Sequence, residues 1–419
     1  MMRHKLLIVG ILVVISAFAY AKIGFSDSDR IWDIQYRGVR AMGMGNAFNA
    51  ISDDSDSAYY NPAGMTSIRK VKVYIQPVRL VPTVDFFEEI KDINDLRDDI
   101  EAISDSSDPL GDPSLKDERI RLMDKFEGLT KESVALDGGF PIMVMIPLHV
   151  KNFGATLGIF GHGWSVSQIK VMKQGLNWAD PIVGILDDSV FYRLMGESSY
   201  GLSSAVKFPI AILPLNLSVG LSVARTNRWI LTDQDNLMQI QDLLSIDGPD
   251  GIKGTADDFK NLYFDPEDPL SSIVMGSGFN INAGVMASIG DDAARVGLTF
   301  RNIVGKINYN AIKDEIPDKL AGISASVNLA KIPSPDVPMI DAIVSGGIDD
   351  MNSDDSKARI GFELTWRPVS IFALSGRIGS NDGFLTLGAG LQLLFFDLDY
   401  AFYGDSITDW HALSLNLAF

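Results

Sequence analysis

Residues 410–419 read WHALSLNLAF. In an extended chain Leu413, Leu415, Leu417 and Phe419 fall on one face and Ala412, Ser414, Asn416 and Ala418 on the other. The same half-apolar, half-small-polar alternation recurs along much of the chain, with no helices between to cover the apolar side. That side must meet something other than a protein core, and lipid fits: the pattern, closing on an aromatic residue, predicts a transmembrane β-barrel.

The other end of the sequence agrees on compartment. Arg3, His4 and Lys5 form a basic region, Leu6 to Phe18 an apolar one, and Ala19-Tyr20-Ala21 a small-residue cleavage site. Residues 1–21 therefore read as a secretory signal peptide, too short for a membrane span. No later segment approaches the roughly eighteen apolar residues of a transmembrane helix. The count of zero cysteines removes disulfides, thiolate metal sites and a lipoprotein anchor. A closed sheet is an architecture that needs no such staples, since closure leaves no unpaired edge.

A formal net charge of −18 sits beside 46% hydrophobic residues, two properties that rarely accompany one another. They are segregated here. Acidic residues crowd into Asp85 to Glu132, Asp233 to Asp268 and Asp349 to Asp355, while the intervening stretches alternate with period two and are nearly uncharged. That is loops against strands. The acidity argues against nucleic-acid binding.

Five strands read residue by residue: Leu215–Val223, Phe279–Ala287, Ile323–Leu329, Ile360–Trp366 and Leu385–Leu393. Weaker alternation near Val71–Val78, Gly139–Val150, Phe153–Lys173, Tyr192–Phe208, Arg295–Lys306, Ala342–Ile348, Phe372–Ile378 and Phe396–Tyr403 brings the total, with the terminal strand, to about fourteen, an even number as bacterial barrels require. Every second connection is short, and the others include the long acidic segments 79–138 and 232–271. Short periplasmic turns and long outer loops are the barrel pattern. A soluble β-sandwich would carry charges outside and bulky residues inside, whereas the non-apolar face here is mostly Gly, Ser, Asn and Thr.

Residues 36–65, YRGVRAMGMGNAFNAISDDSDSAYYNPAGM, break the alternation. Ala41, Met42, Met44, Ala47, Phe48 and Ala50 make a weak helical stripe; Asp53, Asp54 or Asp56 caps a second short helix; Asn61-Pro62 stops it. The paired Gly43 and Gly45, the Asp53/Asp54 cluster, and Ala58 followed by Asn61-Pro62-Ala63-Gly64 resemble the N-terminal signature of the FadL-type outer-membrane transport superfamily, which includes fatty-acid and aromatic-hydrocarbon transporters with PorV-type and TraF-like relatives. The motif covers about thirty residues and does not separate the branches. The resemblance implies that residues 22–69 fold inward as a hatch plugging a barrel formed by 70–419. On turn chemistry alone, Asn61-Pro62 is equally a lead into the first strand.

Strand parity points Arg295, Arg301, Arg359, Glu363 and Arg377 into the lumen, as ligand contacts or as salt bridges holding the hatch, with Arg359 and Glu363 able to pair along one strand. Pro77, Pro141 and Pro147 each remove a ladder donor and predict bulges or a local break, and the resemblance to the superfamily implies a sideways opening near such a wall defect. The Asp247–Asp258 loop resembles a calcium loop but departs from EF-hand spacing, so no metal is expected. Residues 86–129 place Ile90, Ile93, Leu96 and Ile100 at helical spacing, for helices over the outer mouth. His149, His162 and His411 stand apart, and Gly161-His162-Gly163-Trp164-Ser165 shows no acid partner, so no enzyme and no cofactor are expected.

The expectation is a monomeric outer-membrane barrel of a diderm bacterium, passing hydrophobic small molecules such as long-chain fatty acids under control of the hatch. Membrane lipids surround it, and the barrel-assembly machinery is its partner through the strand ending at Phe419. The alternative is a non-transporting scaffold or shuttle in secretion or conjugation.

Overall fold

The computed structural model describes residues 38–83, 134–150, 153–172, 189–210, 215–232, 238–239, 274–290, 292–310, 314, 316–331, 339–353, 356–404 and 409–419. The signal peptide, the helices expected over 86–129 and the acidic 247–258 loop lie outside these residues.

Fourteen antiparallel strands close into a barrel. They are Lys72–Pro82 (β1), a second strand in two runs, Val134–Gly139 and Ile142–Val150 (β2), Phe153–Met172 (β3), Ser189–Ile210 (β4), Leu215–Thr232 (β5), Val274–Ile289 (β6), Ala294–Tyr309 (β7), Leu320–Asn328 (β8), Ile340–Asp349 (β9), Lys357–Val369 (β10), Phe372–Asn381 (β11), Phe384–Leu393 (β12), Phe396–Gly404 (β13) and Asp409–Ala418 (β14). Each pairs with its sequence neighbours, and β14 closes on β1 through Tyr74 to Ala418 and Leu80 to Leu413. Phe419 and Val73 add reciprocal backbone hydrogen bonds at 3.0 and 3.1 Å. Among the described residues no helix is long and apolar enough to cross a membrane; the strands do the crossing.

The outward face is apolar and bare. Leu202 is 64% exposed, Ile159 60% and Leu385 53%, and comparable side chains encircle the wall. A soluble protein does not expose such a continuous band, so it faces the hydrocarbon of the outer membrane.

Two expected boundaries move. The loop expected over 79–138 is shorter at both ends: β1 runs to Pro82 and β2 begins at Val134. Arg79 faces the lumen, 3% exposed, while Leu80 faces lipid, so the alternation continues through the arginine. Pro77 and Pro141 belong to one irregularity. Between the pairs Ile75–Ile142 and Leu80–Gly138, β1 carries one residue more than β2, and the Gln76 amide donates to the Pro141 carbonyl at 2.9 Å. Pro147 lies beyond the last β1 pair, Lys72–Met145, so its missing donor breaks nothing there.

Residues 38–68 lie inside the barrel. They form α1 (Val39–Gly43), α2 (Ser57–Tyr60) and a 3-10 turn, Pro62–Ser67, joined by tight turns. Ala41, Met44, Phe48, Ile51 and Tyr60 make a small core of their own. Val39 and Met42 pack on Tyr403 and Trp410 of the wall, and Met65 and Ile68 on Tyr74, Met143 and Phe160. The lumen face is thus bulky where it meets this segment's apolar side chains and small where it meets its backbone.

Candidate functional site

An irregular segment in a lumen must satisfy its backbone groups from the wall. The serines and threonines that sequence alternation turns inward do this. Ser222 Oγ donates to the Ala58 carbonyl at 3.0 Å, Ser326 Oγ to Ala50 at 3.1 Å, and Arg295 Nη1 to Ile51 at 2.6 Å. Thr66 and Ser218 share a hydroxyl hydrogen bond of 2.9 Å.

Glycines set the closeness. A Cβ on Gly284 would strike the Asn61 side chain, and one on Gly220 would strike the Pro62 backbone. Asn61 itself ends α2 and begins the 3-10 turn: its Oδ1 accepts from the Ala63 amide at 3.1 Å, and its Nδ2 donates to the Asn49 carbonyl at 3.0 Å. Gly64 sits against the Ser52 backbone, and Gly43 against Gly388 of β12. Gly45, with φ of 62°, wedges between the carbonyls of Ile360 and Ser380.

The charged centre is built around Arg40, which sequence parity does not reach because it lies in α1. Its Nε and Nη2 donate to both oxygens of Glu363 at 2.9 and 2.7 Å, and its Nη1 to Asp53 and Asp54 at 2.7 and 2.9 Å. Arg377 Nε reaches Glu363 from the other side at 2.7 Å, and its Nη1 donates to Asp399 at 2.7 Å. A network thus runs from the half-buried Asp53 and Asp54 through Arg40 to the buried Glu363, Arg377 and Asp399, drawing on three strands. Asp399 was missed, although its parity in FDLDYAFY, opposite to that of Tyr400, marks it as inward.

The expected pairing of Arg359 with Glu363 is not made. Glu363 is taken by Arg40 and Arg377, while Arg359 lies 3.5 Å from Asp349 on β9, which also accepts from Asn49 Nδ2 at 2.6 Å. Cross-strand neighbours are nearer than residues four apart on one strand. Arg301 pairs with Asp350. His162 does have an acid nearby, against expectation: its Nε2 is 3.9 Å from Glu197, which Arg228 holds at 2.8 Å, and its Nδ1 shares a 2.9 Å hydrogen bond with the Tyr59 hydroxyl. Glu197 is two residues from inward Met195 and Ser199, and that parity was its available signal.

On the loop side of the inner segment lies a cavity of about 320 Å³. Phe160, Trp164 and Met195 line it beside His162, Glu197 and Arg228 on β3 to β5, while β7, β9 and β10 contribute Arg301, Asp349, Lys357 and Arg359. The floor is Asn46, Ala58, Tyr59 and Tyr60. Arg359 is 5% exposed, with its Nε 3.5 Å from Asp349 Oδ2 and its Nη1 donating to the Tyr403 hydroxyl at 3.5 Å.

At the short-turn rim, Asp292 gathers Lys207 at 2.8 Å, Arg295 at 3.6 Å and Arg69 at 4.0 Å. Burial alone would raise its carboxyl, but Arg295 beside it and hydrogen bonds from Lys207 and Ser288 outweigh that and hold it at about 2. A folded-state pKa below the unfolded value of about 3.9 contributes stability that is complete above that value and is lost as pH falls through the folded one. Asp292→Asn is therefore expected to lower unfolding stability in detergent by on the order of 2 kcal/mol at pH 7. The gap to wild type should close between about pH 4 and pH 2; a gap that stays constant over that range would remove Asp292 from the account.

The sequence family described as "F plasmid transfer operon, TraF, protein" matches residues 58–320, well over half of the chain. The chain belongs to the TraF family. TraF-like proteins are one of the branches that the N-terminal motif resembles, so profile and motif agree. Comparison with curated proteins finds no match. Among solved structures, this TraF-family barrel is similar to the toluene transporter TbuX of Ralstonia pickettii, with a TM-score of 0.47 at 10% identity over 93% of this chain and 98% of that one. A FadL homologue of Pseudomonas aeruginosa gives 0.38 at 9% over 92% and 96%. The translocator domain of the autotransporter NalP from Neisseria meningitidis gives 0.40 at 10% over 88% and 92%. Likeness of that degree carries no statement about ligand.

Proposed function

We propose that this protein is a plugged outer-membrane channel for molecules that are largely apolar with one anionic end, long-chain fatty acids being the type, and that passage requires the segment around Asn61-Pro62-Ala63 to shift. The supporting observation is the cavity above that segment, where the apolar Phe160, Trp164 and Met195 share the lining with the buried guanidinium of Arg359. An apolar pocket with one or two placed polar groups is what such a ligand needs, and an arginine fork suits a carboxylate.

Expression in cells lacking their own uptake system, read with labelled oleate, tests it. Arg359→Gln should lower uptake about tenfold, the loss of one charge-assisted hydrogen bond. Asn61→Ala should change the rate while the barrel stays heat-modifiable. Absence of uptake from a folded wild-type barrel would defeat the reading.

A second reading, a scaffold in conjugation or secretion, is favoured by TraF-family membership and by the ion-paired packing that fills the lower lumen. It is the reading left standing if oleate does not enter. In either case we propose a monomer assembled through its terminal strand.

A further inference from the structure

The cross-strand register of β4 to β7 arranges the outer wall in rows. Leu202, Val223, Ile281 and Val304 form one row, entirely apolar. Two residues nearer the loop rim, the next row is Tyr200, Arg225, Phe279 and Lys306. The row after that is Ser198, Asn227, Ser277 and Asn308, entirely polar. The change from apolar to aromatic-and-basic to polar within three rows marks the level at which hydrocarbon gives way to headgroups.

Tyr200 and Phe279 are 53% and 58% exposed, as a girdle residue should be. Arg225 and Lys306 share their row, two strands apart, which is about 10 Å between backbones. Phe279 sits between them in the register, and the Arg225 guanidinium lies over its ring, 5.7 Å from the centroid, leaning toward Lys306. Lys306 holds Asp314 at 2.6 Å. Both members of that pair are exposed, 54% and 40%, so the pair contributes little in water and a phosphate can compete for the ammonium.

We propose that Arg225 and Lys306, astride Phe279, bind the phosphate of an anionic lipid in the outer leaflet. The ring stacks against the first methylenes of the acyl chain while the two cations take the headgroup. Position selects a lipid over a dissolved anion: the cations stand on the apolar boundary, on a chain whose net charge of −18 repels soluble anions elsewhere. A cation near a charged membrane surface contributes enough for about fivefold in affinity, and two for about 25-fold.

The experiment is lipid A binding to the full chain purified in neutral detergent, read by native mass spectrometry. R225A should weaken binding about fivefold and R225A/K306A about 25-fold. D314N should tighten it by releasing Lys306. R367A, an exposed cation near the opposite rim, should leave it unchanged, and inorganic phosphate should not displace the lipid. R225Q/K306Q is read in place of the double alanine variant if the latter is not heat-modifiable. Wild-type affinity in the double variant, an equal loss in R367A, or displacement by inorganic phosphate would each overturn the proposal.

Discussion

Arg40→Ala is expected to release the inner segment from the wall while leaving the barrel folded. Among the described residues the guanidinium is the one group joining Asp53 and Asp54 of that segment to Glu363 of β10. Truncating it strands Asp53 and Asp54, with side-chain exposures of 28% and 20%, and leaves Glu363, 4% exposed, to Arg377 alone. Breaking a buried pair costs about 3–5 kcal/mol. The partial exposure of the two aspartates discounts this toward the lower figure, about a hundredfold in the dislodged fraction. The cysteine-free chain supplies the measurement. Ala47, 3% exposed, is replaced by cysteine and its maleimide labelling timed in detergent: slow with Arg40 present, about a hundredfold faster without it. Arg40→Lys should fall between, since a point charge cannot hold both Glu363 oxygens and two aspartates at once. Equal labelling rates would show that packing, not this network, holds the segment.

Gly45→Val is expected to act as strongly by a different route. A β-branched residue at a φ of 62° is a severe conformational outlier. Its Cβ would also collide with the carbonyl oxygens of Ser380 and Ile360, which belong to the β10–β11 ladder and cannot yield. Conformational strain of about 1–2 kcal/mol and overpacking of about 1–3 kcal/mol fall together on one residue. The same cysteine at position 47 should again become reactive, with heat-modifiability retained. Gly376→Ala is the control, because a Cβ there meets nothing within 4 Å. Protection of the cysteine in Gly45→Val would mean that the wall is softer than its hydrogen-bonded pairs imply.

The two predictions test the same seating from opposite sides, charge in one and shape in the other. If the transport reading holds, both variants should leak small solutes across planar bilayers. If the scaffold reading holds, they should conduct no better than wild type unless the whole segment leaves the lumen.

Legibility followed period. Wherever one face met lipid and the other the lumen, as in WHALSLNLAF, the alternation gave both strand and facing, because a one-residue slip would bury every apolar side chain in the wrong medium. The inward facing of Arg295, Arg359, Glu363 and Arg377 came from that rule alone, and all four are buried. The same rule would have reached Asp399 and Glu197 had acids in aromatic or small-residue strands been counted as inward. It stopped short of Arg79, one residue past the expected strand end at Val78, although the strand continues to Pro82. It could not reach Arg40, whose partners are 13, 14 and 323 residues away.

The sequence by itself determined a closed antiparallel wall and its two faces, because alternation is a local property and lipid is the one solvent that rewards it on the outside. Only the tertiary structure decided who meets whom inside: Glu363 with Arg40 and Arg377 rather than Arg359, His162 with Tyr59, Gly284 with Asn61. Those contacts depend on the stagger of fourteen strands around the ring and on the path of a non-repeating segment through the lumen. Neither leaves a periodic trace in the chain.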